Sequence, residues 1–381
     1  MMTSMNNSKN TMTIDIVFAI NGVPVLGSGG TRILNQLIKG LNKRGVHTGA
    51  LFLSRKTWST VTNGNPLKRR VANSVLWLND TRIGFHLINP IVKRLLHAAD
   101  DGKVEARTKF FSIDEFMSHS CKYLIATNFV NASQILQLEI GSSRKFLFTQ
   151  IDETDEVYSG NRSTDAKNIY DMFPNKIVLN DVMINKFPGS KKIMVGINRD
   201  IFYLMNEIVT RNPNSVLFIL RAGRQKDPET ALRAIQEIHE SDPSVTITAF
   251  GSLNSKLVPR YVKYYEKPSN TQIARLMNHH SIFVLTSVLE GTPAPPLEAM
   301  ACGCAIISTD CIGIREYVSN NINGLIVPTG DWRGIAHLVL ELVSQNELRI
   351  SLALKGMEDT KGYNFENMVD TFLSAISFND Q

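Results

Sequence analysis

The sequence predicts two doubly wound, Rossmann-like α/β domains in tandem. The length of 381 residues exceeds a single ordinary core, short β-branched runs alternate with longer amphipathic stretches, and the alternation restarts after a turn-rich stretch at residues 210–215. Alternation of strand and helix implies parallel sheets with helices on both faces. Ligands bind such sheets beyond the carboxyl ends of the strands, so we expect the two domains to face each other across a ligand-binding cleft.

Each predicted strand is a short apolar run, and each predicted helix repeats apolar residues three and four positions apart. The predicted strands are 14–20, 48–53, 123–127, 146–150, 176–179, 215–220, 245–250, 282–287, 304–309 and 325–328. The predicted helices include 31–45, 229–240, 270–280 and 333–345. The expected organisation is a disordered N-terminus at 1–12, domains at 13–208 and 209–360, and a C-terminal helix within 361–381.

Composition places the chain among soluble globular proteins. Hydrophobic residues make up 43% and charged residues 20%, which excludes wholesale disorder. No apolar stretch reaches the roughly 18 residues of a membrane span. The first twenty residues contain one lysine and an early Asp15, so a secretory signal is not expected. Four cysteines do not form a disulfide scaffold, and the predicted localisation is the cytoplasm.

The positive charge is concentrated in residues 41–110. This basic segment has 13 Lys or Arg and 4 Asp or Glu, whereas the rest of the chain has 28 basic and 31 acidic residues. Such a surface attracts anionic partners, either nucleic acid or an anionic membrane. Apolar residues are interleaved at 83–99 and no nucleic-acid motif is present, which favours contact with the inner face of the membrane. A solvated basic face is the open alternative.

The most informative stretch is residues 282–309, IFVLTSVLEGTPAPPLEAMACGCAIIST. It predicts a strand, a loop rich in Gly and Pro, and a short helix from about Pro296 to Cys302. Glu290 then lies at the strand end and Glu298 in the first helical turn, with seven residues between them. Two carboxylates that face one crevice accept paired hydrogen bonds from adjacent sugar hydroxyls. A nucleotide sugar, with hydroxyls at both ends and a diphosphate between them, suits this arrangement.

Cations follow the predicted strand at 215–220. Gly223, Arg224 and Lys226 occupy the next loop, at a strand end where positive charge would neutralise a diphosphate. Arg221 is a rival for the same role, and a solvated basic loop is the structural alternative.

Residues 215–331 resemble the nucleotide-binding half of the retaining glycosyltransferases of family 4, whose fold is GT-B. The resemblance rests on the Gly-Arg element followed by Lys226, the two glutamates seven residues apart, PLEAMACG and NGLIVPTGD, in that order. It implies that Arg224 and Lys226 hold the donor diphosphate during catalysis. It further implies that Glu290 contacts the donor sugar and that Glu298 contacts the ribose.

The loops around these residues supply further donor-side candidates, which are Gly223, Gly291, Thr292 and Glu316. Glycine permits close backbone approach to a ligand. The chain departs from the family pattern twice. Thr292 and Pro293 stand where a Phe-Gly pair is frequent, and Cys304 stands where proline is common. The first departure touches the sugar pocket and leaves the identity of the sugar open.

The first half carries a second set of candidates. Gly29 and Gly30 open a predicted helix, where backbone N–H groups approach phosphate, although a plain tight turn is the alternative. The family has a glycine pair at this place, which implies contact with the donor diphosphate or the acceptor. Most of residues 120–205 resemble a branch that acts on surface polysaccharides, including rhamnose transferases. Its Ala-Thr strand end and Gln-Asp-x-Glu element, matched at Gln150 and Glu153, imply acceptor-side candidates. These are Thr127, Asn128 and Glu153, with ordinary strand-end polar residues as the alternative.

No cofactor is expected beyond the donor substrate itself. No aspartate has another two positions away, so the short acidic metal motif of the other large glycosyltransferase fold is missing. Cys302, Cys304 and Cys311 lack a fourth zinc ligand. Arg224 and Lys226 take over the neutralisation that a metal would supply, and we expect a metal-independent reaction.

The predicted function is a retaining hexosyltransferase that moves a sugar from a nucleoside diphosphate to a glycan or lipid-linked acceptor in surface polysaccharide biosynthesis. By resemblance, the first domain holds the acceptor, the second holds the nucleotide sugar, and the C-terminal helix returns to the first domain. A nucleotide-sugar epimerase on the same fold is one alternative, and it requires acid and base groups near the sugar carbon. A non-catalytic binding protein is another. The basic segment also keeps a nucleic-acid-modifying transferase open.

Overall fold

The computed structural model describes residues 14–21, 29–53, 109–111, 116 and 121–377. The predicted disordered N-terminus at 1–12 and most of the basic segment, from 54 to 108, lie outside the described residues.

The described residues form alternating strands and helices. The strands are β1 (Ile14–Asn21), β2 (Thr48–Leu53), β3 (Lys109–Phe111), β4 (Cys121–Ala126), β5 (Lys145–Phe148), β6 (Asn175–Val178), β7 (Lys191–Lys192), β8 (Ser215–Leu220), β9 (Thr246–Gly251), β10 (Lys263–Glu266), β11 (Ile282–Leu285), β12 (Ala305–Thr309) and β13 (Leu325–Val327). The helices are α1 (Gly29–Lys43), α2 (Phe129–Leu136), α3 (Glu156–Ser159), α4 (Ser163–Met172), α5 (Asp181–Lys186), α6 (Pro228–Ser241), α7 (Asn270–His279), α8 (Ala294–Ala301), α9 (Trp332–Ser344), α10 (Asn346–Asp359) and α11 (Phe365–Ser377).

The strands form two sheets. The first has the order β3-β2-β1-β4-β5-β6-β7, and the second has the order β10-β9-β8-β11-β12-β13. In each sheet the first strand lies inside, since β1 pairs in parallel with β2 and β4, and β8 pairs in parallel with β9 and β11. Strands are thus added on one side of the first strand and then on the other. This is the doubly wound arrangement, which confirms the predicted α/β class.

The chain divides into two compact units. One comprises Met1–Leu26 and Ile38–Leu147, and the other comprises Gly27–Leu37 and Phe148–Gln381. All donor-side candidates belong to the second unit. The strands of the first sheet end at residue 192 and those of the second begin at residue 215. The predicted domain boundaries stay predictions.

All ten predicted strands are present, and the structure adds β3, β7 and β10. Each of the three is an edge strand of its sheet. Every residue of the inner strand β8 is buried, whereas both end residues of β10 are exposed. An edge strand has a neighbour on one side only and does not need a continuous apolar run, so the apolar pattern misses it.

The C-terminal helix α11 packs within the second unit. The Phe372 ring lies 6.3 Å from the Phe148 ring at the end of β5, and the Met194 N–H donates to Thr371 Oγ1 at 3.2 Å. Gly196 allows this approach, because a Cβ there would lie 2.6 Å from the Asn364 carbonyl oxygen. The helix therefore rests on the segment that follows β7.

The turn-rich stretch at 210–215, after which the alternation of strands and helices restarts, contains a buried arginine. Arg211 is only 7% exposed. Its guanidinium donates at 2.6–3.3 Å to five backbone carbonyls, those of Asn206, Met277, His280, Cys302 and Gly303. Arg211 therefore fastens the entry to β8 onto the C-terminal ends of α7 and α8.

The four cysteines are buried and free. Burial raises the pKa of Cys304 and Cys311 to about 12 and that of Cys121 to about 11, and it also raises the pKa of Cys302. These thiols are core side chains, and the Cys304 Sγ donates to the Met277 carbonyl oxygen at 3.0 Å.

Within the described residues, no helix has both the length and the apolar character needed to cross a bilayer.

We expect Arg211→Met to lower the free energy of unfolding by about 3 kcal/mol, because it leaves several buried carbonyls without a donor. Urea unfolding followed by circular dichroism measures the change. Arg233→Met is the matched control, since Arg233 is exposed and, within the described part of the chain, forms its ion pair with Glu229 on the same helix. The control should change the free energy of unfolding by less than about 0.5 kcal/mol. Equal unfolding midpoints for the two variants would contradict the role of Arg211.

We expect the native protein to react slowly with a thiol reagent at pH 8, because buried thiols with raised pKa values stay protonated. Counting modified thiols by absorbance should give four only after unfolding in urea. Rapid modification of two or more thiols in the native protein would show that the cysteines are accessible.

Candidate active site

The donor-side candidates Gly223, Lys226 and Glu290 lie in the loops that follow β8 and β11. These two strands are neighbours, and the order of strands reverses between them, so their following loops diverge. Such a switch point is where doubly wound sheets bind ligands. The loop after β8 brings the cations, and the loop after β11 brings Glu290.

The loop after β8 is a tight turn that leads into α6. Gly223 has φ +120°, a left-handed value that favours glycine, and it begins a 3-10 turn at Arg224–Lys226. Asp227 then caps α6, because its Oδ1 accepts from the Thr230 N–H at 3.2 Å. The turn thereby directs the Lys226 side chain toward the neighbouring strand.

Backbone hydrogen bonds fasten the two loops together. The Gln225 carbonyl accepts from the Val288 N–H at 2.9 Å, and Thr286 Oγ1 donates to the Asp227 carbonyl at 3.1 Å. Glu290 in turn bonds through its N–H to the Cys311 carbonyl, at 3.1 Å, in the loop after β12. The three loops therefore hold the side chains of the site in one place.

Glu290 is the centre of a compact charged cluster. Its Oε1 accepts hydrogen bonds from Arg221 Nη2 at 2.9 Å, Lys226 Nζ at 2.7 Å and Ser287 Oγ at 2.8 Å. Burial alone would raise the pKa of Glu290, but Arg221 and Lys226 outweigh burial and lower it. The pKa of Lys226 is lowered by burial, against the attraction of Glu290. Two cations share one carboxylate, and the cluster keeps a net positive charge.

Arg221, and not Arg224, contacts Glu290 in the structure, while the contact of Arg224 with the donor diphosphate stays a prediction. Arg224 is exposed in the 3-10 turn, and the described residues give its side chain no ion pair or hydrogen bond. Arg221 follows β8 directly and points along the strand toward Glu290. The rival candidate is therefore the one that meets Lys226.

Gly291 and Thr292, in the loop that carries Glu290, pack against the segments that follow β5 and β6. A Cβ at Gly291 would lie 1.6 Å from the Gln150 carbonyl oxygen, so no side chain fits there. The Gly291 carbonyl accepts from Asn180 Nδ2 at 2.5 Å, and Thr292 Oγ1 donates to the Leu179 carbonyl at 3.0 Å. In this structure the Thr292 hydroxyl is therefore engaged in a hydrogen bond to the backbone. Gly313 packs as closely on the other side, since its Cβ would lie 1.7 Å from the Gly291 carbonyl oxygen.

Glu298 lies on α8 and is 2% exposed. The helix begins at Ala294, two residues earlier than predicted, because the prolines of its first turn need no N–H partner. Glu298 is therefore in the second turn, not the first as predicted. Its Oε1 accepts a hydrogen bond from Arg32 Nη2, and Arg32 Nη1 donates to Asn270 Oδ1 at 3.2 Å.

Glu316 forms an ion pair. Its Oε1 accepts from Lys192 Nζ at 2.9 Å, and its Oε2 accepts from the Asp181 N–H at 3.2 Å. Lys192 also pairs with the Asp181 carboxylate at 2.7 Å. Both carboxylate oxygens of Glu316 therefore have partners within the protein, and its predicted contact with the donor stays a prediction.

The acceptor-side candidates make local hydrogen bonds. Thr127 Oγ1 donates to the Ala19 carbonyl at 2.9 Å, and Asn128 caps α2 by accepting from the Asn131 N–H at 2.9 Å. Both residues follow β4 at the switch point of the first sheet.

Glu153, the third acceptor-side candidate, is 5% exposed and accepts from the Tyr170 hydroxyl at 3.2 Å. Burial and then Glu153 raise the pKa of Tyr170 well above its usual value. Glu153 is thus a buried carboxylate, and its predicted contact with an acceptor stays a prediction. Gln150 Oε1 is also buried, and none of the described residues forms a hydrogen bond with it.

Gly29 and Gly30 open α1, as predicted. Their contact with phosphate stays a prediction. Among the described residues, no group of three or more His, Cys, Asp or Glu side chains is placed to hold a metal ion.

Sequence reasoning missed Arg32 and Ser287. Arg32 is 266 residues from Glu298 along the chain, so no local pattern relates the two. Ser287 lies three residues before Glu290, and the small polar residues Thr286 and Ser287 at the end of the predicted strand 282–287 were the available signal.

Comparison with known proteins points to one family. Residues 206–358 match the family model Glycosyl transferases group 1. A diacetylbacillosaminyl-diphospho-undecaprenol α-1,3-N-acetylgalactosaminyltransferase of Campylobacter jejuni is 36% identical over 101 residues, 26% of this chain and 27% of the relative. The amylovoran biosynthesis glycosyltransferase AmsK of Erwinia amylovora is 27% identical over 169 residues, 40% of this chain and 41% of the relative. The chain thus spans well under half the length of these curated relatives.

Solved structures resemble the whole chain. Sucrose-phosphate synthase from Thermosynechococcus elongatus superposes with a TM-score of 0.68 at 15% identity, covering 97% of this chain and 100% of that one. Anabaena HepE in complex with UDP and glucose gives a TM-score of 0.66 at 13% identity, covering 96% and 99%. At such identities the likeness establishes the fold, which is of the GT-B type with two Rossmann-like domains. The family match concerns residues 206–358, and the likeness to the solved structures concerns the fold.

Proposed function

We propose that this chain is a retaining, metal-independent glycosyltransferase that moves a sugar from a nucleoside diphosphate to a glycan or lipid-linked acceptor in surface polysaccharide biosynthesis. The observation that carries the proposal is the pairing of Arg221 and Lys226 with the buried Glu290 at the switch point of the second sheet. The family match of residues 206–358 supports the same reaction class.

The net positive charge of the Glu290 cluster suits a donor diphosphate. One carboxylate neutralises one of the two cations, so the surplus charge is available to an anionic ligand. Both cations are partly buried, which strengthens their attraction for phosphate compared with cations in open water. Arg224, one turn away and exposed, adds long-range attraction for the incoming anion.

The reaction would develop negative charge on the diphosphate. The bond from the anomeric carbon to the diphosphate oxygen breaks, and its electron pair stays on that oxygen. The acceptor hydroxyl oxygen forms the new bond to the anomeric carbon, and its proton passes to the departing diphosphate. Arg221 and Lys226 stabilise the charge where it develops, as a metal ion would in other enzymes.

Glu290 is a poor candidate for a covalent nucleophile, because three donors already occupy its Oε1. Attack of the acceptor on the face from which the diphosphate departs is therefore the form of retention that we propose. Glu290 then orients the transferred sugar by accepting hydrogen bonds from its hydroxyls. Gln150, whose backbone packs against Gly291, offers Oε1 as a further hydrogen-bond acceptor.

The acceptor proposal draws on the relatives. The name of the Campylobacter jejuni relative specifies a diphospho-undecaprenol acceptor, and that of the Erwinia amylovora relative specifies amylovoran biosynthesis. A lipid-linked acceptor would be reached at a membrane surface. Contact of the basic segment 41–110 with an anionic membrane, and a location at its cytoplasmic face, belong to this proposal.

We expect a nucleoside diphosphate sugar to raise the melting temperature of the protein, because a ligand at about 100 times its Kd adds about 2.7 kcal/mol to stability. A thermal-shift screen of UDP-, GDP- and dTDP-sugars, with the free sugars as controls, identifies the base. Glu298→Gln should reduce the shift, because it removes the carboxylate that is proposed to contact the ribose. The proposed donor class is wrong if no member of the screen stabilises the protein.

We expect Lys226→Met and Arg221→Met each to lower the kcat of sugar transfer by about 100-fold or more, because each removes one cation that stabilises the departing diphosphate. Product formation is measured with the donor found in the screen. Arg233→Met is the control and should keep the wild-type rate. Arg224→Met decides between the two arginines, since a loss as large as that of Arg221→Met would restore the role predicted from the sequence.

A further inference from the structure

Arg32 and Glu298 form an ion pair that no sequence motif relates. Arg32 lies in the first turn of α1, two residues after Gly30, and its Nη2 donates to Glu298 Oε1. The Arg32 side chain is 31% exposed, whereas that of Glu298 is 2% exposed. The pair therefore joins a buried carboxylate of the candidate donor site to a residue with access to solvent.

Two further contacts hold the Arg32 guanidinium in place. Nη1 donates to Asn270 Oδ1 at 3.2 Å, at the first residue of α7, and the guanidinium carbon lies 5.9 Å from the centre of the Phe202 ring. A planar guanidinium with two of its nitrogens engaged keeps a defined orientation. Arg32 is thus a fixed partner for Glu298.

We propose that Arg32 is a positioning residue for nucleotide recognition, which orients Glu298 and supplies its counter-charge while the ribose binds. This inference rests on the proposed function, in which Glu298 contacts the ribose. Arg32 acts through Glu298 in this role.

The free energy of binding is more favourable if the Arg32–Glu298 ion pair persists in the complex than if the ribose displaces Arg32. Hydroxyls are neutral, so a ribose that replaced Arg32 would leave the buried charge of Glu298 uncompensated, which is costly. A carboxylate has about four acceptor positions, and Arg32 uses one of them through a single nitrogen. Capacity therefore remains for both hydroxyls of a ribose. Because Arg32 follows the glycine pair, the same contact holds the start of α1 beside the nucleotide.

Isothermal titration calorimetry with UDP, GDP and dTDP tests the proposal on the full chain. The variants are Arg32→Met, which keeps the apolar stem, Arg32→Lys, which restores the charge, Glu298→Gln, and Arg32→Met combined with Glu298→Gln. Asn270→Ala removes the hydrogen bond from Arg32 to Asn270 and leaves both charges of the ion pair in place. It provides a test of the proposal if the other variants have lowered melting temperatures. Thermal melts establish that each variant is folded.

For the tightest of the three nucleotides, we expect Arg32→Met to raise Kd by about tenfold or more. Arg32→Lys should regain part of the loss, and Asn270→Ala should cause a smaller one. In the Glu298→Gln background, Arg32→Met should change Kd by less than about twofold, because the two residues act as a unit.

Three outcomes overturn the inference. Unchanged or tighter binding by Arg32→Met would show that Arg32 obstructs the ribose or has no part in recognition. Equal losses in the wild-type and Glu298→Gln backgrounds would show that Arg32 contacts the nucleotide directly. In both cases the wild type still binds nucleotide and the proposed function stands. If the wild type binds none of the three nucleotides, the proposed function fails and this inference fails with it.

Discussion

A buried carboxylate that two cations share is the interaction on which the candidate site depends. Glu290 keeps its charge inside the protein only because Arg221 and Lys226 outweigh the cost of burial. The same ion pairs join the loop after β8 to the loop after β11, in addition to the hydrogen bonds to the Gln225 and Asp227 carbonyls. The surplus cation makes the switch point of the second sheet attractive to anions, which is the property that a diphosphate donor requires.

Close backbone packing joins the loop that carries Glu290 to the neighbouring segments around Gln150 and Gly313. Gly291 lies against the Gln150 carbonyl on one side and against Gly313 on the other, at distances that exclude a Cβ. The Asn180 side chain then bonds to the Gly291 carbonyl. Glycine at these positions places peptide groups where side chains would otherwise stand, and Glu290 is held between segments that are far apart in sequence.

The two glutamates of the site have different environments, although the sequence presents them as a pair. Glu290 has two cations and a serine hydroxyl on one oxygen. Glu298 is deeper and has a single arginine from the start of α1. In the proposed function this difference separates two tasks, since a net positive cluster suits phosphate and a singly paired carboxylate with spare acceptor positions suits hydroxyls.

The sequence by itself determined the doubly wound α/β class, ten of the strands, and the positions of Lys226 and Glu290 directly after strands. These features depend on local periodicity and on the rule that the carboxyl ends of neighbouring parallel strands meet. The choice of Arg221 over Arg224 required the structure, because both follow the same strand and only the turn at Gly223 decides which side chain faces Glu290. Local sequence patterns also did not predict the contact of Arg32 with Glu298, or the contacts of Arg211 with the C-terminal ends of α7 and α8. Each buried charge takes its partner from a distant part of the chain, and folding alone brings those parts into contact.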